Sequence, residues 1–241
     1  MKIQIYSDLH LENCKIYPQI KPYCDVLILA GDIGKINSLN FYNFMEYCSK
    51  NWKYVLYIKG NHECYDEDFE TVDSTIIKLL LNFTNIFYLN NSSKVIDGYE
   101  FIGSVFWTLT TNRIPIYIND FNKINNFTYD TYCDNHNKDL KYLTEQLNKK
   151  SNYKKVFITH FPPILKNTSN PIYKNELTLI KKYFANNISN ELLNLSNFWI
   201  FGHTHWSCDF FINNTRLISN AKGYDSSEYY NFKSDGIFEI P

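Results

Sequence analysis

The chain has 241 residues, 44% apolar and 20% charged, with 24 basic side chains against 25 acidic ones for a net charge of -1. An apolar share of that size supports a buried core, and the charge balance excludes a strongly basic nucleic-acid coat and an acidic disordered tail. No run reaches the roughly 18 consecutive apolar residues of a membrane span, and the opening Met1-Lys2-Ile3-Gln4-Ile5-Tyr6 lacks the apolar run of a signal peptide, so a cytoplasmic protein is expected.

In chain order, apolar runs of strand length alternate with segments of helical period. Residues 2–7 alternate and read as a strand, and residues 25–30 form a continuous apolar run of the kind buried on both faces. Phe41, Phe44, Met45 and Cys48 place a helix over 39–50, and Tyr54–Ile58 is a third strand. Phe69, Val72, Ile76, Leu79 and Leu80 line one face of a helix over 68–82. The front half is therefore a parallel sheet with helical crossovers.

Residues 86–89, 94–96 and 100–106 are short strands, with Asp97-Gly98 as a hairpin turn. Residues 107–130 carry Trp107 and Pro115 in a polar, aromatic stretch, expected to be an irregular insertion facing the active site. A helix over 136–149 and a strand over 154–159 follow, then helical pieces within 175–195. Strands at 197–201, 208–212 and 216–219 close the pattern, the last two joined through Asn213-Asn214. With no repeat and no linker, residues 1–241 are expected to form a single domain.

Six cysteines lie scattered with no CxxC pair and are expected to be free thiols. The sequons at Asn82, Asn91 and Asn126 are a by-product of an Asn-rich composition. Arginine occurs only at Arg113 and Arg216, a bias read as that of an AT-rich genome.

Chemistry-bearing residues gather where strands end. Asp8-Leu9-His10 follows the first strand, Gly31-Asp32 the second and Gly60-Asn61-His62-Glu63 the third. Thr159-His160 ends the strand at 154–159, and Gly202-His203-Thr204-His205 follows that at 197–201. Ligand sites of open α/β sheets form at the carboxyl ends of strands. Each glycine is read as a sharp turn. The alternate positions of Asp8-x-His10 and His203-x-His205 would send paired side chains off an extended segment in one direction.

The order DxH, GD, GNHE, TH, GHTH resembles the calcineurin-like metallophosphoesterase superfamily over residues 5–205, and residues 216–224 resemble its small bacterial and phage members. The resemblance implies a four-layer α/β/β/α sandwich of two mixed sheets flanked by helices. It implies two divalent metal ions about 3.5–4 Å apart. Asp8, His10 and His205 would hold the first, Asn61, His160 and His203 the second, with Asp32 bridging. Oxygen and imidazole ligands suit Mn, Fe, Zn, Co or Ni, and manganese is the ion expected. A hydroxide bridging the metals would attack phosphorus in line with the leaving oxygen. The family role of His62 is to protonate that oxygen or stabilise the transition state; an acidic partner is expected for it, with Asp32 a candidate by proximity. Asn61, His62, Arg113, His136, Lys222 and Tyr224 are candidates for substrate contacts.

The expected activity is that of a metal-dependent phosphoric ester hydrolase acting on a small phosphodiester or nucleotide. The alternatives are a phosphomonoesterase or protein phosphatase on the same centre, and a noncatalytic binding scaffold. A recombination nuclease would call for added domains and a basic face. The neutral net charge argues against long nucleic acid as a partner.

Overall fold

Residues 1–110, 118–175, 178–224 and 231–241 are described by a computed structural model. Two mixed sheets carry the fold. The first holds β1 (Lys2–Tyr6), β2 (Val26–Ala30), β3 (Tyr54–Ile58), β4 (Ile86–Tyr88) and the closing β11 (Ile237–Glu239) in the order β11-β1-β2-β3-β4. The second holds β5 (Ser92–Ile96), β6 (Tyr99–Ser104), β7 (Lys154–Thr159), β8 (Phe198–Phe201), β9 (Cys208–Ile212) and β10 (Thr215–Ser219) in the order β5-β6-β7-β8-β10-β9. Within each sheet the central pairs are parallel, and β11, β5 and β9 add antiparallel edges.

Strand alternation sorts the core into layers. Ile3, Ile5, Val26, Ile28, Leu56 and Ile58 of the first sheet pack against Phe101, Val156, Ile158, Phe198, Ile200 and Ile218 of the second. The opposite face of the first sheet, with Leu27, Leu29, Val55 and Tyr57, meets α1 (Leu39–Asn51) and α2 (Val72–Leu80). The outer face of the second, with Ile102, Phe157, Trp199 and Leu217, meets Leu143 and Leu147 of α4 (Tyr129–Asn148). The layers run helix, sheet, sheet, helix, as the resemblance implied. The parallel strands β1, β2 and β3 end at one rim with the motif segments.

Three expectations need correction. The stretch 107–130 holds ordered helix: α3 (Asn119–Lys123) and the first turn of α4 lie within it. α4 begins at Tyr129 because its buried stripe is Tyr132, His136, Asp139, Leu143 and Leu147, a helical spacing with polar members that an apolar count misses. The helix expected over 68–82 is confined to Val72–Leu80, and the strand β11 was not foreseen. The Asp97-Gly98 turn is as expected, with φ of 46° and 83° at its two residues.

Candidate metal centre

The motif loops are stitched to one another by backbone. Asp8 and His10 donate N–H bonds to the carbonyls of Gly31 (3.0 Å) and Asp32 (3.1 Å), and Leu11 donates to Ile33 (2.9 Å). Gly202 donates to the His160 carbonyl at 2.9 Å, and Gly223 to that of Asp8 at 3.0 Å. Pairing of this kind carries the register of the strands past their ends.

The backbone leaves the extended state within these loops. Asp8, His10, Asp32, His203 and His205 take φ values of 55°, 47°, 53°, 72° and 50°, the left-handed region that side chains with a Cβ disfavour. The extended Asp8-x-His10 and His203-x-His205 geometry expected from the sequence is thus replaced by tight left-handed turns. Each such residue costs about 1–3 kcal/mol and persists where surrounding contacts enforce it. Here the enforcing contacts are the ladder above and buried side-chain bonds. Asp8 carboxylate oxygens accept the His203 N–H at 3.0 and 3.1 Å, and Asp32 Oδ1 accepts that of His62 at 2.8 Å.

The glycines act by lacking a Cβ more than by turning. Only Gly31, at φ 85°, needs the left-handed region among the motif glycines. A Cβ on Gly60 would stand 2.2 Å from Asp32 Oδ1, and one on Gly202 would stand 2.7 Å from Asp8 Oδ2. Those carboxylates lie against bare backbone.

The side chains converge as two linked groups. Asp8, His10 and His205 bring donor atoms within 4.8 Å of one another, as do Asp32, His160 and His203, and Asp32 also groups with His10 and His62. His10 Nε2 lies 3.0 Å from His205 Nε2. His160 Nε2 and His203 Nδ1 lie 3.0 and 3.1 Å from Asn61 Oδ1. His160 Nδ1 faces the Ala30 carbonyl at 3.0 Å, and His10 Nδ1 faces a Glu12 carboxylate oxygen at 3.2 Å. Both partners only accept, so both imidazoles carry a proton on Nδ1 and turn Nε2 inward. Nε2 of His160 and Nδ1 of His203 thus meet one amide oxygen, and Nε2 of His203 is buried with no hydrogen-bond partner among the described residues. The donor set therefore fits a cation, and its oxygen and nitrogen atoms suit a first-row divalent ion.

Charge reinforces that arrangement. Burial pushes the Asp32 carboxyl up, but His160 and His62 outweigh it and hold Asp32 well below the usual carboxylate range. Burial works against a charge on His160, yet Asp32 raises it to about 10. Burial and the neighbouring His160 drive His203 well below its ordinary value.

His62 stands beside the first group, its ring 4.4 Å from that of His10 and stacked at 4.2 Å on Tyr65. Its orienting partner is Glu12, whose Oε1 lies 3.0 Å from Nδ1; Asp32 takes only the His62 backbone N–H. Glu12 was not foreseen. Its signal was the spacing Asp8-x-His10-x-Glu12, which the turn of 3-10 helix at Leu11–Asn13 folds back over the site. Burial opposes ionisation of Glu12, but bonds from His10 and His62 prevail and hold it at about 2. On the other side the Tyr224 hydroxyl lies 3.0 Å from His62 Nε2, with its ring 4.3 Å from His10 and 4.6 Å from His205.

Glu63, which closes the third motif, has a structural part to play. Fully buried, it accepts the N–H groups of Gly60 (2.7 Å), Asp32 (3.0 Å) and Ile33 (2.7 Å), pinning two motif loops together. Burial and the Asp32 charge push its carboxyl up to about 7 against those donors. Glu63→Gln exchanges one acceptor for an amide and strands at least one buried N–H, at about 1–3 kcal/mol. A melting temperature lower by several degrees is expected in a thermal scan, and an unchanged one would remove Glu63 from the scaffold of the site.

The profile of the calcineurin-like phosphoesterases matches residues 1–207. The chain belongs to that family. The matched span of this calcineurin-like phosphoesterase includes every ligand position through His205. The chain is 29% identical over 276 residues to the uncharacterized protein L509 of Acanthamoeba polyphaga mimivirus, covering 100% of this chain and 97% of that relative. Its fold resembles phosphopantetheinyl hydrolase PptH from Mycobacterium tuberculosis, with a TM-score of 0.69 at 11% identity over 95% of this chain and 91% of the other. The protein TT1561 of Thermus thermophilus aligns with a TM-score of 0.51 at 12% identity over 91% and 88% of the two chains. Such likenesses show the fold alone. The family is one of phosphoric ester hydrolases, and the groups above are its candidate metal ligands in this chain.

The remaining substrate candidates separate. Arg113 lies outside the described residues. His136 is on α4, where Nδ1 meets the Trp107 carbonyl at 2.6 Å and the ring stacks on Phe106, so its contacts serve the packing of that helix. Lys222 lines a cavity of about 310 Å³ with Leu9, Tyr23 and Phe232. Asn61, His62 and Tyr224 are at the centre. Among the described residues no helix is long and apolar enough to cross a membrane.

Proposed function

We propose that this chain hydrolyses a small phosphodiester or nucleotide with two divalent cations, manganese foremost. Asp8, His10 and His205 would hold one, Asn61, His160 and His203 the other, and Asp32 would serve both. The observation that carries this reading is the convergence of Nε2 of His160 and Nδ1 of His203 on the oxygen of Asn61, beside a second group built on Asp8. When bound, such a cation pair lowers the pKa of coordinated water and neutralises charge on the phosphoryl oxygens.

The protein supplies orientation and a proton. Glu12 fixes the His62 ring with its proton on Nδ1, which leaves Nε2 as the atom that hands a proton to the leaving oxygen. Tyr224, 47% exposed and bonded to that nitrogen, stands at the mouth where a leaving group would enter. Its exposed ring offers a face for a nucleobase. A held general acid matters most for an alkoxide leaving group. We place the protein in the cytoplasm, where its six free cysteines stay reduced.

Hydrolysis of bis-p-nitrophenyl phosphate and p-nitrophenyl phosphate with Mn²⁺ tests this reading. A higher kcat/KM on the diester is expected. Preference for the monoester would assign the chain as a phosphatase, and two bound cations with no hydrolysis of any phosphate ester would make it a binding scaffold.

A further inference from the structure

The strand-end motifs account for the converging donor atoms but not for the carboxylate behind them. Asp120 lies on α3 and is 1% exposed. Its Oδ1 accepts from Asn61 Nδ2 at 2.9 Å and from the Tyr65 hydroxyl at 2.7 Å. Its Oδ2 accepts from the hydroxyl of Tyr183 on α5 (Thr178–Phe184). Three donors meet one carboxylate, and every contact uses its oxygens as acceptors.

The consequence falls on Asn61. The two ends of a primary amide have nearly the same shape but opposite hydrogen-bonding character. Only the nitrogen end can satisfy a carboxylate, so Asp120 fixes the amide with Oδ1 toward His160 and His203. With the amide reversed, two N–H bonds would occupy the direction from which a cation must be held.

We infer that Asp120 is a positioning residue for the second cation: through Asn61 it couples docking of α3 and α5 on the site to the affinity of the Asn61, His160 and His203 set. The inference rests on the two-cation reading above. Removal of a carboxylate that orients a metal ligand typically costs about 10–100-fold in metal affinity.

A donor–acceptor exchange tests it. Stepwise Mn²⁺ binding to metal-stripped protein is measured by calorimetry for the wild type, Asp120→Asn, Asn61→Asp and the double variant. Asp120→Asn releases the lock on the amide and is expected to weaken the second step by about 10–100-fold while the first changes by less than about threefold. Asn61→Asp alone sets two carboxylates against each other and also weakens that step. The double variant restores a carboxylate paired with an amide, the roles exchanged, and is expected to recover most of the lost affinity. A merely structural role would lower both steps and the melting temperature together, without rescue, and would overturn the inference. So would an Asp120→Asn protein whose second step matches the wild type. If Asp120→Asn does not fold, Tyr183→Phe carries the test by removing one donor: a weakened second step with an intact first is expected, and two unchanged steps would overturn it. A wild-type chain that takes up fewer than two cations fails the functional reading itself, and this inference with it.

Discussion

An Asp32→Ala protein is expected to take up neither cation in stable form and to lose turnover in the same step. The carboxylate groups with His10 and His62 on one side and with His160 and His203 on the other, and only 2% of the residue is exposed. Its removal takes a negative charge from between imidazoles, one of which, His160, owes its raised pKa of about 10 to Asp32 against the pull of burial. It also frees the His62 N–H that Asp32 Oδ1 accepts at 2.8 Å. The loss should exceed the roughly 10²–10⁴ in rate that a general acid supplies, because both halves of the site go together. Metal per chain by mass spectrometry, on the sample used for kinetics, decides the matter: two cations retained in Asp32→Ala would contradict a shared ligand.

The second large effect is the opposite in kind. His62→Ala is expected to keep both cations and the fold while kcat falls by about 10²–10⁴. The fall should be steep for an alkyl leaving group and shallow for p-nitrophenol, which departs without a proton. Burial lowers the His62 pKa, but Asp32 and Glu12 outweigh it and raise it to about 9. Cations bound to Asp32 would offset part of that rise. The rate should therefore decline with rising pH along a limb at or below about 9, where Nε2 loses its proton, and that limb should vanish in His62→Ala. Glu12→Gln should give an intermediate loss, since the ring keeps an acceptor but not a charge. An unchanged rate on the alkyl ester in His62→Ala would remove the histidine from the mechanism.

What the sequence made legible was local and repetitive: the apolar runs of β1, β2, β3, β7 and β8, and the short polar motifs at their ends. Those motifs placed Asp8, His10, Asp32, Asn61, His160, His203 and His205 at one rim, and the structure brings their donor atoms together. What it hid was set by tertiary contact. The left-handed turns at Asp8 and His203 are enforced by bonds between loops far apart in the chain, as in the His203 N–H to Asp8 carboxylate. Glu12 and Asp120 belong to none of those motifs, and it is folding that puts one beside His62 and the other beside Asn61. His136 illustrates the converse, a histidine whose polar atom serves a backbone carbonyl under Trp107.

The β1–β11 pairing sets an order of events during synthesis. β1, which leads into Asp8 and His10, lies between β2 and β11, with Ile3 opposite Phe238 and the Ile240 N–H bonded to the Met1 carbonyl at 2.9 Å. Strands so distant in the chain meet late, after the entropy of a long loop has been overcome. Until β11 has been made, the edge of β1 away from β2 therefore stays open to solvent.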